Sequence, residues 1–189
     1  MVVKEVTRRS FIKTSATATA IDAAPMVLPS TVFGANDRIQ VAVLGVHGRG
    51  KSHISGFQEL ENVEVVTLCD PDKNVLQERA KAFQEKYGKK VKLEQDVRKV
   101  LADKKVDVIS IATPNHWHSL ATIWACQAGK DVYVEKPLSP NIFEGRKAVE
   151  TARKYKRIVQ HGTQRRASQQ FVNEVAAVQS GKYGKLLAS

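Results

Sequence analysis

Cysteine is scarce in this sequence, aromatics are few and long apolar runs are missing, and each shortage closes off a class of protein. Cys69 and Cys126 are the only cysteines among 189 residues. They form no Cys-x-x-Cys pair, which removes a disulfide framework and reads both as buried, inert thiols. No stretch reaches the ~20 apolar residues that cross a bilayer, so stable membrane insertion is not expected. Aromatic residues make up 6% of the chain and do not interleave with basic ones as in a base-stacking surface. Nucleic acid is therefore not an expected partner, although the net charge is +11. Acids number 19 against 30 bases, yet the two signs alternate along residues 72–90 and 144–157. The excess reads as mild attraction for anions, a dinucleotide phosphate among them. A 42% hydrophobic content is that of a soluble globular protein and excludes disorder throughout.

The first 35 residues read as an address. Thr7-Arg8-Arg9-Ser10-Phe11-Ile12-Lys13 precedes a weakly apolar stretch from Thr14 to Val32 that ends in small residues near Gly34 and Ala35. That order is the pattern of a twin-arginine export signal over 1–35, with periplasmic or secreted localisation. The alternative, a basic amphipathic start to a soluble domain, sits poorly with Pro25 and Pro29, which break the segment. Asp22 costs the apolar region some of its character.

After Asp37 short β-branched runs alternate with segments of helical period. Residues 38–45, 63–69, 106–112, 131–135 and 157–161 read as strands, several apolar on both faces. Leu76, Ala80, Phe83 and Tyr87 make one helical stripe. Ala121, Trp124, Ala125 and Ala128 make another, closed by Gly129. Ser139 before Pro140, with Glu144 in the opening turns, is expected to start a third helix. A last one is expected over 167–179, with Phe171, Val175 and Val178 facing inward. The pattern predicts an α/β doubly wound parallel sheet over residues 36–180, with its ligand crevice at the carboxyl ends of the strands.

The residues that follow those strands carry the chemistry. The first strand enters Gly45-Val46-His47-Gly48-Arg49-Gly50 and then a helix, the context in which glycines let a backbone approach a pyrophosphate. The spacing is Gly-x-x-Gly-x-Gly, with His47 where a glycine is commoner; an ordinary tight turn is the alternative. Asp70 stands twenty residues after Gly50, where a carboxylate accepts bonds from an adenosine ribose and repels a 2′-phosphate. This favours NAD and leaves NADP as the alternative. Asp70 before Pro71 also suits a helix cap.

Three further strand ends complete the pattern: Ala112-Thr113-Pro114-Asn115-His116-Trp117-His118, then Tyr133-Val134-Glu135-Lys136-Pro137-Leu138, then Gln160-His161-Gly162-Thr163-Gln164. With the glycine turn, these make the chain resemble the glucose-fructose oxidoreductase, inositol dehydrogenase and rhizopine-catabolism (Gfo/Idh/MocA) family over roughly residues 38–189. The resemblance implies a Rossmann nucleotide-binding domain and NAD(P)-dependent oxidation or reduction of a secondary alcohol of a sugar, cyclitol or polyol. It implies that Lys136 lies near the nicotinamide ribose and the substrate hydroxyl as the catalytic residue, that Glu135 helps to hold the cofactor, and that Thr113, Pro114, Asn115 and His118 line its crevice. A lysine suits a role that polarises a hydroxyl or receives its proton. His116 and His118 read as crevice residues and not as metal ligands, since no carboxylate or cysteine stands at matching spacing.

The family also implies a second α/β substrate domain that supplies further catalytic residues, including a histidine. Residues 181–189 are expected to be its start, the chain stopping there, and the full-length protein could form a homo-oligomer. An inactive dinucleotide-binding fragment and an NAD-dependent glycosidase stay open as alternatives.

Overall fold

The computed structural model describes residues 38–185. The leader expected over 1–35, and the end of the segment expected to begin a further domain, lie outside the described residues. Six strands form one sheet: β1 (Ile39–Leu44), β2 (Val63–Cys69), β3 (Lys92–Glu94), β4 (Val108–Ile111), β5 (Asp131–Glu135) and β6 (Val159–Gly162). Their order is β3-β2-β1-β4-β5-β6, and every neighbouring pair is parallel. Parallel strands need crossovers, and five α-helices supply them: α1 (Gly50–Gln58), α2 (Lys73–Tyr87), α3 (Val97–Ala102), α4 (His118–Gln127) and α5 (Ile142–Tyr155); a sixth, α6 (Gln169–Gln179), follows the last strand. The order reverses between β1 and β4, which opens a crevice at their carboxyl ends. The expected doubly wound parallel sheet is the observed fold.

Strand β1 shows why the sheet is buried twice. Val41 and Val43 pack with Ile54 of α1 and with Val75, Leu76 and Phe83 of α2. Their neighbours Ala42 and Leu44 turn to the other face, against Val100, Ala121 and Ala125. Successive strand residues alternate faces, so helices on both sides demand an unbroken apolar run. Each large aliphatic side chain so buried contributes about 1.5–3 kcal/mol.

Several boundaries differ from the sequence expectation for identifiable reasons. The runs at 38–45 and 106–112 shorten to Ile39–Leu44 and Val108–Ile111, because Gly45 and Ala112 already belong to the crevice turns. Strand β6 is shifted to Val159–Gly162. Strand β3 and helix α3 were not foreseen. The strand is three residues, Lys-Leu-Glu, at the sheet edge, and the helix is six residues capped by Asp96, whose side chain accepts from Arg98 N–H. Such short pieces carry too few periods to register.

Helix α5 begins at Ile142 because Asn141, not Ser139, is its cap. Asn141 Oδ1 accepts from Glu144 N–H at 2.9 Å, and Glu144 sits in the first turn as expected. Helix α2 is likewise capped by Asp72, which accepts from Asn74 and Val75, and not by Asp70. Helix α4 does end before Gly129, at φ 76°. Helix α6 runs from Gln169 instead of 167, and its expected inner face is not buried: Phe171 is 37% and Val175 50% exposed. Periodicity placed them on one face without supplying anything to cover it.

Candidate functional site

The crevice is built from four turns, each leaving the carboxyl end of a strand. The first follows β1. Gly45 has φ 79°, and a Cβ there would lie 2.7 Å from the Ala112 carbonyl and Thr113 nitrogen, so both the bend and the close approach require glycine. Gly50 opens α1, where a Cβ would stand 2.0 Å from Gly45 O. Gly48 has nothing within 4 Å of its hypothetical Cβ, and it is exposed along with His47. Arg49, the N-cap of α1, makes no side-chain cap bond, which leaves the positive end of the helix open at the crevice.

The peptide of Val46 is held on both sides. Its N–H donates to Asp70 Oδ2 at 3.0 Å, and its carbonyl accepts from Arg79 Nε at 3.0 Å. Asp70, 8% exposed at the end of β2, also accepts from Asp72 N–H at 3.1 Å through Oδ1. One carboxylate thus fixes both the glycine turn and the start of α2, and Arg79 of α2 completes the clamp.

Glu135 ends β5 and is 4% exposed. Its Oε1 accepts from Arg49 Nε at 3.1 Å, His53 Nε2 at 2.9 Å and Gln164 Nε2 at 2.9 Å. Its Oε2 accepts from Gln164 at 2.9 Å and from Lys136 N–H at 3.3 Å. Burial pushes the carboxyl upward, but the bonds from His53, Arg49 and Gln164 outweigh it and hold it down at about 2. Burial also pushes His53 downward, against the pull of Glu135, so its ring is neutral at pH 7. A neutral ring that donates from Nε2 must accept at Nδ1, and Ser110 Oγ lies 2.7 Å from that atom. The chain of donors therefore runs Ser110 to His53 to Glu135.

Lys136, immediately after the strand, is exposed. The strand stops at Glu135, so the buried carboxylate belongs to its last residue and the exposed lysine to the turn that follows. On the turn after β4, Pro114 and Asn115 are exposed, and Thr113 Oγ1 is a buried polar atom with no hydrogen-bond partner. His118 lies below them at 1% exposure, with Nδ1 2.6 Å from Pro137 O and Nε2 2.8 Å from Thr113 O. It ties the Thr113 turn to the Lys136-Pro137 turn from beneath and does not present its ring to the crevice. Both ring nitrogens of His118 face carbonyl oxygens within the protein, and His116 is exposed beside Trp117.

The structure thus brings together Gly45 with Thr113, Arg49 with Glu135, Asp70 with Val46, and His118 with Thr113. His53, Ser110, Gln164 and Arg79 were assigned no role from sequence. A signal existed for one of them: His53 follows Arg49 by four residues, so both lie on the same side of α1. Both cysteines are buried; burial, with Glu94 and Asp70 nearby, pushes Cys69 up to about 12, and it raises Cys126 as well. Among the described residues no group of three or more His, Cys, Asp or Glu side chains could hold a metal ion, and no helix is long and apolar enough to cross a membrane.

A glycine-shaped turn under an open helix terminus, a carboxylate at the end of β2 and an orphaned threonine hydroxyl suit an elongated ligand with phosphate and hydroxyl groups. Residues 39–163 match the Gfo/Idh/MocA family, described as an oxidoreductase family with an NAD-binding Rossmann fold. The chain is 30% identical over 166 residues to a glycosyl hydrolase family 109 protein of Shewanella pealeana, covering 77% of this chain and 36% of that protein. It is also 30% identical over 151 residues to inositol 2-dehydrogenase of Salmonella typhimurium, covering 79% of this chain and 44% of the relative. Among solved structures, the WlbA dehydrogenase of Bordetella pertussis, in complex with NADH and UDP-GlcNAcA, shares the fold with a TM-score of 0.67 at 24% identity, over 78% of this chain and 44% of that one. The chain therefore spans less than half the length of the relatives it matches.

Proposed function

Because this chain belongs to the Gfo/Idh/MocA oxidoreductase family with its NAD-binding Rossmann fold, we propose that it is the nucleotide-binding half of an NAD-dependent dehydrogenase acting on a secondary alcohol of a sugar, cyclitol or polyol. The observation that carries this reading is the setting of Lys136. Its backbone is anchored to the buried Glu135 while its side chain stands exposed at the crevice.

The bound dinucleotide supplies hydride exchange at its nicotinamide ring. Gly45 and Gly50 shape the turn that receives the pyrophosphate, the open N-terminus of α1 faces its charge, and Thr113 Oγ1 offers an unused hydroxyl. Asp70 stands at the end of β2, where a carboxylate in this fold meets the adenosine ribose, and supports NAD over NADP. Lys136 polarises the substrate hydroxyl and receives its proton as the alcohol is oxidised, or returns it in the reverse direction. Glu135 acts through Arg49 and Lys136, which it holds in place. The Arg8-Arg9 leader supports export by the twin-arginine route, which cell fractionation of the intact protein checks.

Titration of the purified chain with NADH and NADPH, followed by nicotinamide fluorescence, tests the nucleotide reading; NADH is expected to bind more tightly. Absence of binding to either by folded protein would overturn it. A second reading, an NAD-dependent glycosidase, is favoured by the match to the family 109 protein. Product analysis with the full-length protein separates the two: a ketone with net NADH formation supports the dehydrogenase, and released sugar without it supports the glycosidase.

A further inference from the structure

The three glycines of a Rossmann turn have separate tasks: the first makes the bend, the second lets the pyrophosphate approach the backbone, and the third packs helix on strand. In this chain Gly45 carries the first, with φ 79°, and Gly50 the third, since a Cβ there would lie 2.0 Å from Gly45 O. The middle position, two residues after Gly45, is His47. Gly48 follows one residue later, and no atom of the chain lies within 4 Å of its Cβ position, so the space beside the turn is open. An imidazole therefore stands where the fold ordinarily keeps bare backbone.

The surroundings hold the backbone that carries that imidazole and leave the ring uncommitted. The Val46 peptide before it is pinned by Asp70 and Arg79 at 3.0 Å each. Arg49, the other side-chain donor between residues 45 and 50, is turned to Glu135 at 3.1 Å. His47 is exposed and, among the described residues, makes no side-chain hydrogen bond or ion pair. Helix α1 has no side-chain cap to fill the same space. On the nucleotide-binding reading above, we propose that the His47 ring is a direct ligand of the dinucleotide pyrophosphate, donating an N–H to a phosphate oxygen in place of the close backbone contact that a middle glycine would allow.

The test is a set of calorimetric titrations of the 189-residue chain and its His47→Gly and His47→Gln variants with NADH, ADP and adenosine. His47→Gly is expected to weaken NADH and ADP about tenfold, the loss of one hydrogen bond to a charged acceptor. It is expected to leave adenosine, which has no phosphate, unchanged. His47→Gln, which keeps an N–H donor, recovers part of the loss. The His47 ring resonances in the native chain should shift with ADP and stay still with adenosine. Equal or tighter NADH binding by His47→Gly overturns the inference and makes the imidazole an obstacle. A loss equal for ADP and adenosine overturns it too, since the effect is then not on phosphate. If the native chain binds neither NADH nor ADP, the nucleotide reading falls first and this inference with it.

Discussion

Arg49 and Glu135, 86 residues apart in the chain, meet at 3.1 Å. The contact joins the turn that follows the first strand to the end of the strand that presents Lys136. Glu135 also gathers His53 and Gln164, so one buried carboxylate holds together the segments that follow β1, β5 and β6.

That arrangement predicts acid sensitivity of defined sign. Glu135 is held at about 2 against an ordinary value of 4.5. A folded value below the unfolded one adds stability that is complete above pH 4.5 and is lost as the pH falls toward 2. The ceiling is about 3 kcal/mol. His53 is likewise depressed from 6.5, so keeping it neutral costs stability progressively as the pH drops below that value. Urea unfolding from pH 7 to 3 should show a midpoint that falls throughout, and Glu135→Gln should start lower and fall less. Parallel curves for the two proteins would remove Glu135 from this role.

The glycine turn predicts opposite outcomes for neighbouring alanines. Gly50→Ala drives a methyl into Gly45 O at 2.0 Å, backbone against backbone, and should cost more than ~3 kcal/mol or prevent folding. Gly48→Ala meets nothing within 4 Å and should stay within about 0.5 kcal/mol of the native chain. Thermal melts of the two variants decide the matter, and equal losses would mean that the turn is wrongly described.

These contacts mark what the sequence could and could not show. Strands β2 and β5 are legible to the residue, because β-branched runs bounded by Asp70-Pro71 and Gly129-Lys130 leave little choice. Glycines 45 and 50, Asp70 and Lys136 are legible as residues of the turns at strand ends, because the alternation of strands and helices fixes where those ends fall. The partners are not: Arg49 to Glu135, His53 to Ser110 and Val46 to Asp70 close across 86, 57 and 24 residues, and periodicity contains no such distances. Covering is equally silent, since the stripe of Phe171 and Val175 says which residues share a face and not what lies over it.

The ring nitrogens of His118 lie 2.6 and 2.8 Å from two backbone carbonyl oxygens, at a position 1% exposed. His118→Ala removes the donor that joins Thr113 to Pro137 and leaves a cavity, so it should lose about 2–4 kcal/mol. It should also weaken NADH by loosening both walls of the crevice. Melting and NADH titration give the two numbers; unchanged stability would show that the ring is not a clamp.

Asp70 combines a structural and a selective task, and the two separate by measurement. Asp70→Asn keeps the shape of the side chain but puts an amide NH2 against Val46 N–H or Asp72 N–H, both of which now donate to the carboxylate. Two donors facing each other in a site 8% exposed should cost about 1–3 kcal/mol of stability. The same change removes the charge that would repel a 2′-phosphate, so the preference for NADH over NADPH should fall about tenfold. Because both cofactors share everything except that phosphate, the ratio of their dissociation constants cancels the loss of stability. A ratio unchanged from the native chain would confine Asp70 to holding the turn and would leave the choice of cofactor to residues elsewhere.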